Sequence, residues 1–389
     1  MAPPAYQSGG PVAIATTAIT PGFSEPSHLS SPRPSISRMG AVTPFSVVEG
    51  PEAWKAADYQ DLSKFMYVFS ESDIAELDSA IAAVQARDLD IKQVTREDFS
   101  LPTLGAKLEG YREEVRVGRG FQLFRGLPVQ RYTRAQTIIA YWGIGLYWGK
   151  AQSNNKKGHL IGHIKDIGYD PSKPTTRLYA TKEAQPWHND SSDMVALLCL
   201  NNAKEGGLSG WSSSISVHNE IVRRRPDLAR LLAGPWFMDR KGEVPAGKQG
   251  FFELPVFNYY KGSLSVNYSD NYYLLSQRFP EVPRLTAAHY EAMSLFNRLA
   301  SSQELALQMI LQPGDIQLLN NHTCLHYRSA FVDWPEMDRK RHLLRLWVAP
   351  AVDRPLPECY AELYGTTKVG DRGGIRVPGY DLNIPLEAE

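Results

Sequence analysis

His188 and Asp190 are spaced two apart and stand directly ahead of the apolar run Met194 to Leu200. On an extended chain residues i and i+2 leave the same face, so both side chains point one way. The run after them has the length and composition of a buried strand. A polar pair at the mouth of such a strand is costly unless something pairs with it. The late segment Arg341 to Trp347 is patterned in a related way. As a strand it sends Arg341, Leu343, Arg345 and Trp347 to one side and His342, Leu344 and Leu346 to the other. Two guanidiniums on one face of an apolar strand keep their charge, so burial obliges them to find anions.

Imidazole and carboxylate groups two apart can take adjacent corners of one metal. A third ligand from a distant strand then completes a 2-His-1-carboxylate face and leaves positions open for small molecules and O₂. Two histidines compete for that third place, His322 and His326, both in the segment Asn320 to Arg328. They differ by an even number, so strand parity does not separate them. His322 lies nearer the turn signal Asn320-Asn321, whereas His326 begins the segment running into Ser329, Ala330 and Phe331, which favours His326. Arg341 and Arg345 read either as internal salt bridges or as grips on carboxylates, one on a 2-oxo acid and one on substrate. Together these residues point to a non-haem iron oxygenase.

The bulk properties are compatible with that chemistry. Lys+Arg and Asp+Glu both total 42, so no net field draws the 389-residue chain to nucleic acid or an anionic membrane. The three cysteines, Cys199, Cys324 and Cys359, are widely separated and form no C-x-x-C pair, a pattern of a reducing compartment. No run of about 18 apolar residues marks a membrane-spanning helix. A cytoplasmic protein is expected. Residues 1–44, rich in Pro, Ser, Gly and Ala, read as a disordered tail without the apolar core of a secretory signal. Residues 45–389 read as one domain. His159 and His163 are four apart, but no Glu lies between them and Gly162 weakens a helix, so no metalloprotease motif is formed.

Ser72 is expected to cap an amphipathic helix carrying Leu77, Ile81 and Val84, and Thr133 another through Trp142. Phe121 to Phe124 reads as a short strand between glycine turns. Ser212 to Arg225 reads as a helix stopped by Pro226, Thr286 to Ala300 as a further helix, and Tyr259 to Tyr273 as hairpin-like. Pro313, Gly314 and Asp315 form a tight turn into the strand Ile316 to Asn320. Short strands dominate the middle and end, with helices early and in insertions. The expected class is α+β, a distorted double-stranded β-helix (jelly roll) with flanking helices.

From about Val115 to Ala349 the chain resembles the TauD/TfdA-like (clavaminate-synthase-like) branch of the Fe(II)/2-oxoglutarate-dependent oxygenases. The resemblance is carried by Gly120 to Gly126, His188 to Asp190, Gly206 to Trp211, Pro313 to Asp315, Asn321 to His326, and Arg341 to Arg345. It implies iron held by His188, Asp190 and His326, with 2-oxoglutarate and O₂ as co-substrates. It further implies Arg341 on the carboxylate of 2-oxoglutarate furthest from the metal, Ser209 supporting that carboxylate, and Arg345 at the substrate or co-substrate end. The linker from His326 to Arg341 is a few residues longer than in the shortest relatives, so the division of labour between the two arginines stays open. The expected activity is hydroxylation, desaturation or oxidative cyclisation of a small metabolite, carboxylate-bearing if Arg345 meets it, in specialised metabolism. Asp190 fills the position a halide would need, which disfavours halogenation. The rival readings are a zinc hydrolase on the same triad and a non-catalytic jelly-roll binding protein.

Overall fold

Two sheets face one another, and strand parity decides what lies between them. The computed structural model describes residues 41–389. The expected tail lies outside the described residues as far as residue 40, and within its last few residues Val42 donates its backbone N–H to Gly262 O at 2.8 Å. Numbered along the chain, the strands of the two sheets are β1 (Met66–Val68), β2 (Phe121–Arg125), β3 (Lys150–Gln152), β4 (Ile161–Lys165), β5 (Gln185–His188), β6 (Met194–Asn201), β7 (Ser209–Ser213), β8 (Ala306–Met309), β9 (Ile316–Asn320), β10 (Cys324–Arg328) and β11 (His342–Ala349). The larger sheet runs β1-β2-β9-β6-β11, with β3 and β4 both paired to the far side of β11. The smaller runs β8-β7-β10-β5. All pairs are antiparallel except β1 with β2.

Alternate residues of β6 and β11 enter different cores, which is why β6 reads as a nearly unbroken apolar run and β11 is apolar apart from His342 and Arg345. Val195, Leu197, Leu343 and Trp347 face the smaller sheet and pack with its Trp211, Leu307 and Met309. Ala196, Leu198, Leu344, Leu346 and Val348 face outward, under α1 (Glu71–Ala86), α2 (Leu104–Val117) and α3 (Arg134–Leu146). Each fully buried leucine there contributes about 1.5–3 kcal/mol. Behind the smaller sheet, Trp187 and Leu325 pack with α4 (Ser214–Arg224), α5 (Pro226–Leu232) and α7 (Ala287–Ala300), while α6 (Asp270–Ser276) adds Tyr273 to the same core. The result is the α+β jelly roll with flanking helices. Arg125 and Asp315 tie the turn before β9 to the end of β2 through paired N–H donors at 2.8 and 2.7 Å. Gly314 is obligatory in that turn, because its φ is +89° and a Cβ would lie 2.2 Å from Leu127 O.

Element boundaries differ from the sequence reading in several places, and Ser212 and Ser213, expected to open a helix, end β7 instead. α1 is capped by Ser70 rather than Ser72: Ser70 Oγ accepts the Asp73 N–H at 3.2 Å and Asp73 Oδ2 accepts the Ser70 N–H at 2.9 Å. A reciprocal capping box satisfies two orphan donors, which a cap at Ser72 would not. Pro226 ends one helix but opens α5 at its first turn, where proline's missing N–H costs nothing. Only Phe257–Tyr260 and Ser263–Val266 form the expected hairpin, and α6 takes up the segment beyond Ser269.

Candidate functional site

β5 and β10 are neighbours in the smaller sheet, with His188 directly opposite His326. Both imidazoles point between the sheets, their ring centroids 4.0 Å apart. Asp190 follows just past the end of β5, where its backbone N–H donates to Asn321 Oδ1 at 3.0 Å. Asn189 holds the same segment from its other side, donating to Cys324 O at 2.8 Å and accepting the Tyr268 N–H at 2.9 Å. The carboxylate of Asp190 is aimed by Trp347, whose Nε1 donates to Oδ2 at 2.8 Å.

One oxygen of Asp190 lies 3.8 Å from His188 Nε2 and the other 3.6 Å from His326 Nε2. The three groups each offer a ligand atom within 4.8 Å of the others. Atoms about 2.1 Å from a common ion stand roughly 3 to 4 Å apart, so the set fits one first-row divalent metal. The tautomer fits as well. His188 Nδ1 donates to Pro186 O at 2.8 Å, leaving the lone pair on Nε2, the atom facing the cluster. Gln185 Nε2 donates to that lone pair at 2.8 Å, a place a metal would take instead. Burial, with His326 alongside, pushes His188 down to about 3, so it is neutral and ready to coordinate. Burial pushes Asp190 up, but Arg345 and the two histidines outweigh it and hold the carboxyl well below its usual range.

His322 is committed elsewhere. It lies in the turn before β10, fully buried, with Nε2 2.8 Å from Asp193 Oδ1. Arg372 grips Asp193 through Nε at 2.8 and 3.0 Å and lies near Asp353. Asp193, His322 and Asp353 also converge within 4.8 Å, but a buried guanidinium already supplies their positive charge.

The two late arginines differ in their partners. Arg345 Nη1 lies 3.3 Å from both oxygens of Asp190, and its Nε donates to Asn154 Oδ1 at 2.8 Å. Its guanidinium also stacks on Trp347 and Tyr179. Arg341 has no ion pair and no side-chain hydrogen bond among the described residues; the Phe331 ring lies against its guanidinium, and Asp333 acts on it at longer range. It packs over the turn before β7, where Gly207 has a φ of +71° and a Cβ would fall 2.9 Å from Arg341 Nε. A third buried arginine, Arg328, shares this chamber. Its Nη2 donates to backbone carbonyls including Thr181 O at 3.0 Å, but Nε and Nη1 have no partner among the described residues. Burial pushes Arg341 down to about 10, and burial with Arg341 nearby pushes Arg328 to about 9. Both stay cationic at neutral pH.

All six residues singled out from sequence, His188, Asp190, Ser209, His326, Arg341 and Arg345, line one narrow slot between the sheets, together with Gln185, Gln317 and Arg328. Arg328 went unremarked in the sequence although it sits two residues after His326 and so shares its face. A larger cavity of about 340 Å³ opens on the other side of His188, Asp190 and Arg345. Its far wall comes from Arg177, Lys241, Glu243 and Tyr272, and its rim from Glu362 and Arg376 beyond the last strand. No single strand or helix period marks those residues, because they come from loops, from α6 (Tyr272) and from the segment beyond the last strand.

The family described as Taurine catabolism dioxygenase TauD, TfdA family matches residues 85–347 of the chain. Among curated proteins, the chain is 31% identical over 319 residues to FR-33289 synthase of Streptomyces rubellomurinus (strain ATCC 31215), covering 80% of this chain and 92% of that protein. It is 29% identical over 304 residues to taurine hydroxylase-like protein SAT17 of Stachybotrys chartarum (strain CBS 109288 / IBT 7711), covering 76% and 77% of the two chains. Among solved structures, an asparagine oxygenase in complex with Fe(II), 2S,3S-3-hydroxyasparagine and succinate superposes with a TM-score of 0.57 at 14% identity, covering 73% of this chain and 93% of that one. That last likeness is one of fold.

Proposed function

The chain belongs to the TauD/TfdA family of dioxygenases, and from that membership we propose how its own residues divide the work. It is an Fe(II)- and 2-oxoglutarate-dependent dioxygenase that oxidises a small metabolite. In our reading His188, Asp190 and His326 hold the iron, and Arg341 with Ser209 and Arg328 receives the distal carboxylate of 2-oxoglutarate. The observation that carries this is the contrast between the arginines. Arg345 is neutralised by Asp190, whereas Arg341 and Arg328 are buried cations facing the slot with no ion pair among the described residues, and Nε and Nη1 of Arg328 have no partner there. A buried cation without an anion costs several kcal/mol, and a dicarboxylate ligand would repay it. A zinc hydrolase has no use for such a pair.

Iron with 2-oxoglutarate and O₂ supplies oxidation of a C–H bond coupled to loss of CO₂ from the keto acid. The protein's part is position and dryness. Pro186 O fixes the His188 tautomer, Trp347 and Arg345 fix the carboxylate of Asp190, and the facing sheets exclude water from the slot. Arg345, on both cavity walls, stands at the boundary between co-substrate and substrate. The domain we propose spans residues 45–389, since the segment beyond Ala349 walls the larger cavity. No helix among the described residues is long and apolar enough to cross a membrane. With the cysteines unpaired, we infer a cytoplasmic site of action in specialised metabolism.

The test is succinate formation from 2-oxoglutarate with added Fe(II), run beside anaerobic metal binding. His188→Ala, Asp190→Ala and His326→Ala should each abolish turnover and weaken metal binding. His322→Ala should lower stability and leave metal stoichiometry intact. Full turnover in His326→Ala would reject the assigned metal face.

A further inference from the structure

The larger cavity ends at a cation, Lys241, that forms no ion pair among the described residues, although Asp239 and Glu243 act on it at longer range. Lys241 is 5% exposed and follows the short strand Phe237–Asp239, in a turn where its own φ is +51° and that of Gly242 is +78°. Its ammonium carries three donors, and its one hydrogen bond among the described residues is a long one of 3.5 Å to Thr176 O. The Tyr272 ring lies 4.8 Å away. The nearby carboxylates are already engaged. Asp239 takes two donors from Arg278 and the Lys241 backbone N–H, and Glu243 pairs with Arg177. The other cations lining the cavity have acceptors among the described residues: Arg240 and Lys248 on Glu362, Arg345 on Asp190, and Arg376 on Gln152 and a backbone carbonyl. Beside Lys241, Arg177 Nε is buried and has no partner among the described residues.

This arrangement is expensive for a stretch of loop. A buried ammonium without an ion-paired anion is destabilising, and a left-handed backbone at a lysine adds to that cost. Local costs of this kind cluster at ligand-binding sites. Tyr272 lines the cavity and is acted on both by Arg177 and Glu243 and by Asp190 and Arg345. The wall carrying Lys241 and the wall carrying His188 and Asp190 thus belong to one chamber.

We propose that Lys241, with Arg177 Nε beside it, anchors an oxyanion of the substrate, a carboxylate or a phosphoryl or phosphonyl group, at the end of the cavity away from the metal face. The substrate class is then a small acidic metabolite held by its charged end, with the C–H to be oxidised carried toward His188, Asp190 and His326. The purpose of this anchor rests on the oxygenase reading above, but its binding does not.

The experiment titrates the full-length protein calorimetrically, free of iron and 2-oxoglutarate, with inorganic phosphate, methylphosphonate, propionate and neutral propionamide. Lys241→Met, Lys241→Gly and Lys241→Arg are compared with wild type. At least one oxyanion should bind wild type and Lys241→Arg comparably, and bind Lys241→Met and Lys241→Gly about tenfold more weakly or worse. Propionamide should not bind. Whether phosphate and methylphosphonate or propionate binds assigns the oxyanion. Glycine accepts the positive φ freely, so Lys241→Gly should melt no lower than wild type, which separates lost binding from lost folding. Equal oxyanion affinity in wild type and Lys241→Met, or no oxyanion binding to wild type at millimolar concentration, overturns the proposal. In parallel, 2-oxoglutarate binding to the Fe(II)-loaded protein under nitrogen should be unchanged in all variants. If wild type fails to bind 2-oxoglutarate while its oxyanion still depends on Lys241, the oxygenase reading falls and the anchor stands.

Discussion

Trp347 and Gly207 never touch the slot's ligands in our reading, yet each fixes a residue that does. Trp347 Nε1 is the shortest hydrogen bond to Asp190, so Trp347→Phe removes a direction rather than a charge. Supporting hydrogen bonds of this kind alter metal affinity about 10- to 100-fold. Anaerobic Fe(II) titration of Trp347→Phe should therefore show at least a tenfold loss, and an unchanged affinity would mean that Arg345 alone holds the carboxylate. Gly207→Ala would push a methyl group against Arg341 from a backbone at φ +71°. It should weaken 2-oxoglutarate binding while leaving 2-oxobutyrate, which lacks the distal carboxylate, bound as in wild type. The same pair of ligands tests Arg341→Gln and Arg328→Gln. Equal losses for both keto acids would show that these arginines shape the fold and do not read the distal carboxylate.

At the scale of elements, β11 separates chemistry from cohesion by alternate residues. Leu344 faces the helices and is fully buried, whereas Leu343 faces the slot. Leu344→Ala should cost about 2–5 kcal/mol in urea unfolding and leave 2-oxoglutarate affinity intact. Leu343→Ala should change both. If Leu344→Ala disturbed co-substrate binding as strongly as Leu343→Ala, the two faces would not be independent. The helix caps were partly readable from sequence for the same local reason. Thr133 lies where a polar residue meets an apolar period and caps α3 as expected, but at α1 Ser72 was expected and reciprocity with Asp73 selects Ser70 instead.

The whole molecule carries a group of buried, neutral histidines away from the metal face. Burial pushes His218 down to about 4 despite its contact with Asn219, and burial with His163 at 2.8 Å pushes His342 to about 2. His322 is held well below its ordinary value by burial and the arginines around it. A histidine whose folded value lies below 6.5 takes up its proton preferentially in the unfolded chain. Its stabilisation is therefore present above pH 6.5 and lost as the pH falls toward the folded value. For His218 the span from 6.5 to about 4 corresponds to roughly 3 kcal/mol. The urea midpoint should fall steadily from pH 6.5 to 4, and His218→Gln should flatten part of that fall. An identical pH profile in the variant would remove His218 from the account.

What the sequence determined by itself follows from period two and from local hydrogen bonding. It set which residues share a strand face, so His188 with Asp190, and Arg341 with Arg345, could be paired before any strand was placed. It also marked Met194 to Leu200, within β6, as a buried strand. Tertiary structure decided the rest. His322 and His326 have the same parity, and they part only because Asp193 and Arg372 meet one while β5 brings His188 to the other. Arg341 and Arg345 are alike in sequence, and they differ because Asp190 reaches one of them. Lys241 is an ordinary turn lysine until Arg278 and Arg177 occupy the carboxylates around it. Whether a buried charge is satisfied depends on partners far along the chain, and strand periodicity carries no information about which distant segments the fold will bring together.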